Sequence, residues 1–432
     1  MENNKKQNFT IPIIVMILLF GMISFVTNLA SPMGDILKNQ FNIPNWQGTL
    51  GVFANFIAYA VMGIPAGNLL QKRGYKKTAL IAVIVGFLGV GIQTLSGVFG
   101  SFGVYLLGAF VAGFSMCLLN TVVNPMLNRL GGGGNRGNQL IQIGGTFNSL
   151  CGTAVIIITG LLIPSILDAR ISDVFPLMFT ALGIFAFAFF VILLTKIPEN
   201  APQQVEAQAE KGRGPLAFRH FVLGAIAIFI YVGVEVGIPN VLNKWLQNPD
   251  LNVLGSGVNA EAVAGSVAAT YWFLMLIGRL IGSVIGNKVS AKSMLSVVSC
   301  AGIVLTLLAI FVSPSIMVKF PAFNGAHGFG MESIPLNAAF LVCIGLCTSV
   351  MWGGIFNLAV EGLGKYTEKA SGIFMALVCG GGILPLLQNA IVDGLGGTGY
   401  LQSYWVIVAG LAFLLFYALW GSKNVNKDIP VE

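Results

Sequence analysis

The sequence predicts an all-α membrane protein of about twelve transmembrane helices, divided into two similar six-helix halves with both termini in the cytoplasm. Three observations predict it. The 432-residue chain is 56% hydrophobic and 9% charged, with a mean hydropathy of +0.84, whereas a soluble chain carries about 25% charged residues to wet its surface. Apolar runs long enough for the roughly 20 residues that cross a bilayer recur about twelve times. Lysine and arginine collect in alternate connections, as the positive-inside rule requires.

In chain order the runs span 11–36, 46–71, 78–98, 102–128, 139–164 and 173–195, then 220–245, 262–286, 293–313, 335–361, 371–393 and 402–420. The first follows Lys5 and Lys6, but it is long, lacks a clear cleavage site and is followed by further spans, so it reads as a retained helix rather than a signal peptide. Cations then gather at Lys72, Arg73, Lys76 and Lys77, at Arg129 and Arg136, at Lys196 to Arg219, at Lys288 and Lys292, at Lys365 and Lys369, and at Lys423 and Lys427. The intervening connections hold little more than Lys38, Arg170, Lys244 and Lys319. This alternation places both ends of the chain in the cytoplasm and accounts for the net charge of +7 without nucleic acid.

Between the sixth and seventh runs, Pro198 to Pro215 is a long polar stretch that reads as a linker. It divides the chain into a bundle over 1–197, a linker over 198–218 and a bundle over 219–432. Internal repetition supports the cut. Gly67-Asn-Leu-Leu-Gln-Lys-Arg-Gly74 joins the second run to the third, and Gly282-Ser-Val-Ile-Gly-Asn-Lys288 joins the eighth to the ninth at the matching place. Asn124 to Gly131 and Asn357 to Gly364 form a second echo. The 55 glycines are concentrated in the spans, where small residues let helices approach closely.

Against this apolar background, Asp35 and Glu235 lie in or against the first run of each half. A carboxylate at bilayer depth costs about 2.5–3.5 kcal/mol on insertion scales, so it is rarely there without a task. The pair points to a transport pathway. Arg279, in Ile277-Gly-Arg-Leu-Ile-Gly282, must snorkel, line water or pair with a carboxylate, and its nearness to the end of its span favours snorkelling toward the cytoplasm. Amides and aromatics cluster in particular spans: Asn28, Asn120, Asn124, Gln142 and Asn148 in the first half, Tyr231, Tyr271, Trp352, Asn357, Gln388 and Asn389 in the second. A single amide in a membrane helix commonly bonds a neighbouring helix. Together with aromatic faces, such amides suit a sugar, whose hydroxyls need hydrogen bonds and whose ring offers C–H surface.

Enzymatic classes find no support. Gly132 to Gly137 and Gly394 to Gly399 fit the dinucleotide pattern, but each follows a membrane helix rather than a strand, and no P-loop sequence occurs. His220 and His327 fall at a helix start and in an outer loop, so no Ser–His–Asp grouping or histidine proton relay is expected. The six cysteines all lie in apolar runs and read as small buried fillers; Cys343 and Cys347 share a helix face without the further ligands of a metal site. No cofactor is expected beyond a transmembrane ion gradient.

Gly34-Asp35-Ile36-Leu37, Asn124-Pro125, Thr146-Phe147-Asn148-Ser149-Leu150, Tyr231-Val-Gly-Val-Glu235, Ile355 to Gly364 and Gly380-Gly-Gly-Ile-Leu-Pro-Leu-Leu-Gln388 are similar to motifs of one family nearly end to end. On them the chain resembles the fucose–galactose–glucose:proton symporters of the major facilitator superfamily, and more their glucose and galactose branch. The Lys72-Arg73-Gly74-Tyr75-Lys76-Lys77 loop resembles that superfamily's cytoplasmic signature, with Gln71 where the usual pattern has Asp. The resemblance implies alternating access, a site between two six-helix halves, a coupling carboxylate at Asp35, a sugar-binding amide at Asn148 and, at Glu235, the acidic position of the glucose branch; read with the amides and aromatics above, Asp35, Glu235 or both are expected to carry the proton, and Asn148, Gln142, Asn120, Trp352, Asn357 and Gln388 to surround the sugar. It implies a gating role for Gly67, Arg73, Gly74 and Arg279. It also implies a monomer in the bacterial inner membrane that takes up a neutral hexose. The family's fourth-helix Glu is Asn120 here, Gly145 stands for a Gln, and Gly353-Gly354 for Pro-Thr. A sodium-coupled or uncoupled carrier of another polar solute, and a transporter-like sensor, are therefore the alternatives.

Overall fold

The computed structural model describes residues 9–41, 50–162, 170–199, 214–255, 257–325, 328–426 and 429. Helices dominate. In order they are α1 (Thr10–Phe41), α2 (Leu50–Phe99), α3 (Phe102–Leu130), α4 (Gly134–Leu162), α5 (Phe175–Leu194), α6 (Arg219–Gln247), α7 (Ala260–Ile285) and α8 (Ala291–Phe311). A hairpin of β1 (Met317–Phe323) and β2 (Phe329–Pro335) follows, then α9 (Leu336–Thr348), α10 (Met351–Val360), α11 (Thr367–Ala376), α12 (Gly380–Leu395), α13 (Gly399–Gln402) and α14 (Trp405–Phe416). Nine helical stretches among the described residues are long and apolar enough to cross a membrane. The expected run at 139–164 overlaps α4, which ends at Leu162.

The chain forms two compact units. The first holds the described residues up to Ala217 together with Gly362–Leu377; the second holds Phe218–Glu361 and Val378 onward through α14. In the first unit α1 packs on α4 and α3, the long α2 packs on α3 and α5, and α11 lies against α2 and α3. A continuous helix of 50 residues would run roughly 75 Å, more than twice the ~30 Å hydrocarbon core. α2 avoids this by breaking at Gly74, whose φ of 76° and ψ of 177° suit glycine alone. Its two limbs correspond to the second and third apolar runs.

Local signals explain several boundaries. Ser101 begins α3 by accepting from Val104 N–H, Asn259 begins α7 by accepting from Ala262 N–H at 3.0 Å, and Ser290 begins α8 by accepting from Ser293 N–H at 3.1 Å. At the break in α2 the first free N–H groups of the second limb, those of Tyr75 and Lys76, each donate at 2.8 Å to the Glu199 carboxylate. The Lys76 ammonium returns the favour by donating to the Leu193 and Thr195 carbonyls at the end of α5.

In the second unit α12 and α10 pack on α6, α9 packs on α7 and α8, and α14 packs on α8 and α6. The hairpin departs from a wholly helical reading. Met317 pairs with Pro335 and Phe323 with Phe329 in an antiparallel register. Ala322 and Ile334 turn inward, while Met317, Phe323, Phe329 and Met331 are exposed. The alternation of these side chains is a strand pattern, invisible to a search for apolar runs.

Candidate functional site

Each unit carries its own set of polar side chains within apolar helices. In the first, α3 presents Asn120 and Asn124 one turn apart. Asn120 is buried, and its amide donates to the Tyr59 hydroxyl at 2.7 Å and to the Met116 carbonyl at 3.2 Å. Asn124 in turn donates to the Asn120 carbonyl at 2.9 Å and to its side-chain oxygen at 3.3 Å. This amide–phenol chain occupies the position where the sequence resemblance places a carboxylate. On α4, Asn148 is half-buried and donates to the Phe20 carbonyl of α1 at 2.7 Å, which fixes the amide and leaves its oxygen as an acceptor. Gln142 is buried on the same helix. Asp35 lies on α1 with its side chain outside the described residues.

The second unit brings its ionisable groups together. Glu235 sits near the middle of α6, and its Oε1 lies 3.4 Å from the Arg279 guanidinium of α7; both side chains are 12% exposed. The Tyr231 hydroxyl, one turn earlier on α6, donates to the same oxygen at 2.9 Å. Arg279 also reaches, through Nε, the Ser349 carbonyl at 3.4 Å. Ser349 and Val350 are the interruption between α9 and α10. Tyr271 of α7 is tied to the end of α9 through its hydroxyl, 2.9 Å from Thr348 Oγ1. The Trp352 ring meets the Tyr231 ring edge-on with centroids 6.4 Å apart.

The expectation that Arg279 snorkels to the cytoplasm is corrected here. It stands six residues from the end of α7, but helical Cβ atoms tilt toward the helix N-terminus. The side chain therefore extends away from the nearer end and into the unit, where Glu235 meets it.

Other expected residues are spread out. Asn357 is buried on α10, five residues beyond Trp352. Gln388 of α12 is fully buried beside Gly237 of α6, and among the described residues neither of its amide atoms has a hydrogen-bond partner. Gly67 is a packing position: a β-carbon there would press on the Gly372 Cα and on the Glu368 and Lys369 carbonyls of α11. Arg73 is exposed, and Gly74 makes the break in α2. In place of the signature's acidic residue at Gln71, the buried Tyr75 hydroxyl faces the Glu368 carboxylate of α11 at 3.4 Å.

Tyr59, Thr348 and Ser349 were missed as site residues. A hydroxyl or a backbone carbonyl has no signature in a single sequence, although Tyr59 was visible as a polar residue in an apolar run.

A family model described as Major Facilitator Superfamily matches residues 13–386. The glucose/galactose transporter of Brucella abortus biovar 1 (strain 9-941) is 28% identical over 431 residues, covering 98% of this chain and 97% of that protein. The L-fucose-proton symporter of Escherichia coli (strain K12) is 22% identical, covering 91% and 90%. The crystal structure of the transporter FucP in the outward conformation matches the fold with a TM-score of 0.79 at 20% identity, over 96% of this chain and all of that one.

Proposed function

Because the chain belongs to the Major Facilitator Superfamily, we propose that it is a secondary active transporter that imports a neutral hexose such as glucose, galactose or fucose by alternating access, coupled to protons. The observation that carries this reading is the set of ionisable, amide and aromatic side chains held inside apolar helices, with Arg279 touching Glu235, Glu235 touching Tyr231 and Tyr231 touching Trp352. Intramembrane charge marks ion and substrate pathways. The end-to-end likeness to a glucose/galactose transporter supports a sugar as the cargo.

In this reading Asn148, Gln142, Asn120, Trp352, Asn357 and Gln388 serve the sugar. Asp35, Glu235 or both carry the coupling proton. A neutral carboxyl crosses with the substrate, and an ionised one disfavours the empty return. Gly67, Arg73 and Gly74 act at the cytoplasmic gate. The protein is a monomer in the bacterial inner membrane, works without a cofactor, and crosses twelve times with both termini in the cytoplasm. The two limbs of α2, the polar α4 and the shorter apolar stretch Trp405–Gly421 support that number of passes. A sodium-coupled or uncoupled carrier is the second reading, favoured by the amide of Asn120 bonded to Tyr59 where a carboxylate is the family's pattern.

Proteoliposomes test the proposal. Sugar accumulation driven by an inward proton gradient is expected for the wild type and lost on removing the coupling charge (Asp35→Asn, Glu235→Gln), while exchange of labelled sugar persists. Undiminished accumulation in both single variants and the double variant removes proton coupling through these residues. Uptake that follows sodium and ignores pH supports the second reading.

A further inference from the structure

We propose that the later turns of α6 and α12 form a second sugar subsite, in which Asn240, Lys244 and Asp393, set by Asn389, receive a neutral hydroxylated ligand on its way in. The inference rests on the transport reading and deepens it by naming where the sugar first binds.

α6 and α12 pack along one seam within the second unit, and in the twelve-pass reading both run toward the outside. The inner part of the seam is closed: a β-carbon at Gly233 would press on Leu384, and one at Gly237 on the Gln388 amide. Farther along, polar side chains take over. The Lys244 ammonium donates to Asn389 Oδ1 at 2.8 Å, and Asn389 Nδ2 donates to Asn240 Oδ1 at 3.3 Å. The same Nδ2 donates to the Pro385 carbonyl at 2.6 Å, which holds the amide in place between the two helices. Asp393, one turn beyond Asn389 on α12, acts electrostatically on Lys244.

These bonds leave capacity for a ligand. An ammonium carries three donors and a side-chain amide two; Lys244 spends one of its three on Asn389, and Asn240 engages through its oxygen. The Asp393 carboxylate makes no hydrogen bond among the described residues. Asn240, Lys244 and Asp393 are all exposed. Asn240 nonetheless lies seven residues before the end of α6, roughly 10 Å along the axis. A lysine that merely snorkelled would turn toward the helix end. Here the Cβ tilt takes the side chain the other way, back to the level of Asn240 and Asn389. Ionisable groups at such depth face water rather than lipid, so the seam is a hydrated recess.

Its chemistry selects the ligand. One cation and one anion stand close together: an anionic ligand meets Asp393, a cationic one meets Lys244, and a neutral ligand rich in hydroxyls uses both. Gln388 adds an independent sign at the inner end of the recess. It is fully buried, and among the described residues neither of its amide atoms has a partner. An amide left in that condition is costly, and a hydroxyl advancing along the seam relieves it.

The test uses the whole protein in detergent with glucose, galactose and fucose. Bound sugar is expected to raise the wild-type Tm. In a background with the six native cysteines replaced, N240C is expected to react with a water-soluble maleimide about tenfold more slowly at saturating sugar. D250C, at the exposed turn beyond α6, is expected to keep its rate. N240A and K244Q, at exposed positions that the fold tolerates, are each expected to raise the sugar Kd about tenfold. Sugar that raises Tm while leaving the N240C rate unchanged overturns the subsite and spares the transport reading. Protection of N240C with an unchanged Kd in both variants reports closure over the residue, and overturns direct binding. Stronger protection by glucuronate than by glucose overturns the neutral ligand. No Tm rise with any of the sugars, and no protection, defeats the transport reading and the subsite together.

Discussion

Ser371 donates its hydroxyl to the Thr121 carbonyl at 3.1 Å, and the reason lies four residues further along α3. Pro125 has no N–H, so the carbonyl one turn before it loses its intrahelical partner. Ser371, buried on α11, supplies the missing donor. Replacing Ser371 by alanine should cost about 1–3 kcal/mol, the penalty for an unmet buried acceptor, seen as a lower Tm in detergent; Ser371→Thr should be nearly neutral. If the alanine variant melts with the wild type, the carbonyl has another partner. At this scale the sequence was half legible. Glu235 stood out because a charge in an apolar run is conspicuous. Its partner did not, because Arg279 is 44 residues away and the pairing depends on the direction of a Cβ tilt.

Helix boundaries were easier to read than helix breaks. The runs at 46–71 and 78–98 were expected as separate spans, and the backbone leaves the helix between them at Gly74. A β-carbon there would strike the Glu199 carboxylate as well as demand a conformation that costs other residues about 1–3 kcal/mol. Gly74→Ala should therefore lower Tm clearly, while Arg73→Ala, at an exposed neighbour, should leave it within about 0.5 kcal/mol of wild type. Equal effects from the two would dissolve the case for the turn. The hairpin was the element that escaped. Met317 to Phe323 alternates rather than runs apolar, and the Asn324–Gly325 corner that closes it carries a positive φ of 55° at the glycine. A search tuned to spans of about 20 residues passes over seven-residue strands.

At the scale of the molecule, the clustered cations and the internal echoes led to an expectation of two halves, because charge asymmetry and repetition survive in a single sequence. The grouping of Gly362–Leu377 with the first 217 residues did not, since it depends on contacts such as Ser371 to Thr121, 250 residues apart. The alternation of charge also makes a prediction about sidedness. A cysteine placed at the exposed Lys319, in a background with the six native cysteines replaced, should react with a membrane-impermeant maleimide added to intact cells. A fluorescent protein fused to the C-terminus should light up in the cytoplasm. A Lys319 site that reacts only after lysis would invert the topology. The membership of α11 has one more consequence, which concerns time. Chains grow at about 5–20 residues per second, so the Glu199 clasp on Tyr75 must wait roughly 6–25 seconds after Tyr75 is made. Ser371 comes still later for Thr121, and during that interval the ribosome is already delivering most of the second unit. The first unit to be begun is thus completed only after most of the second has been made.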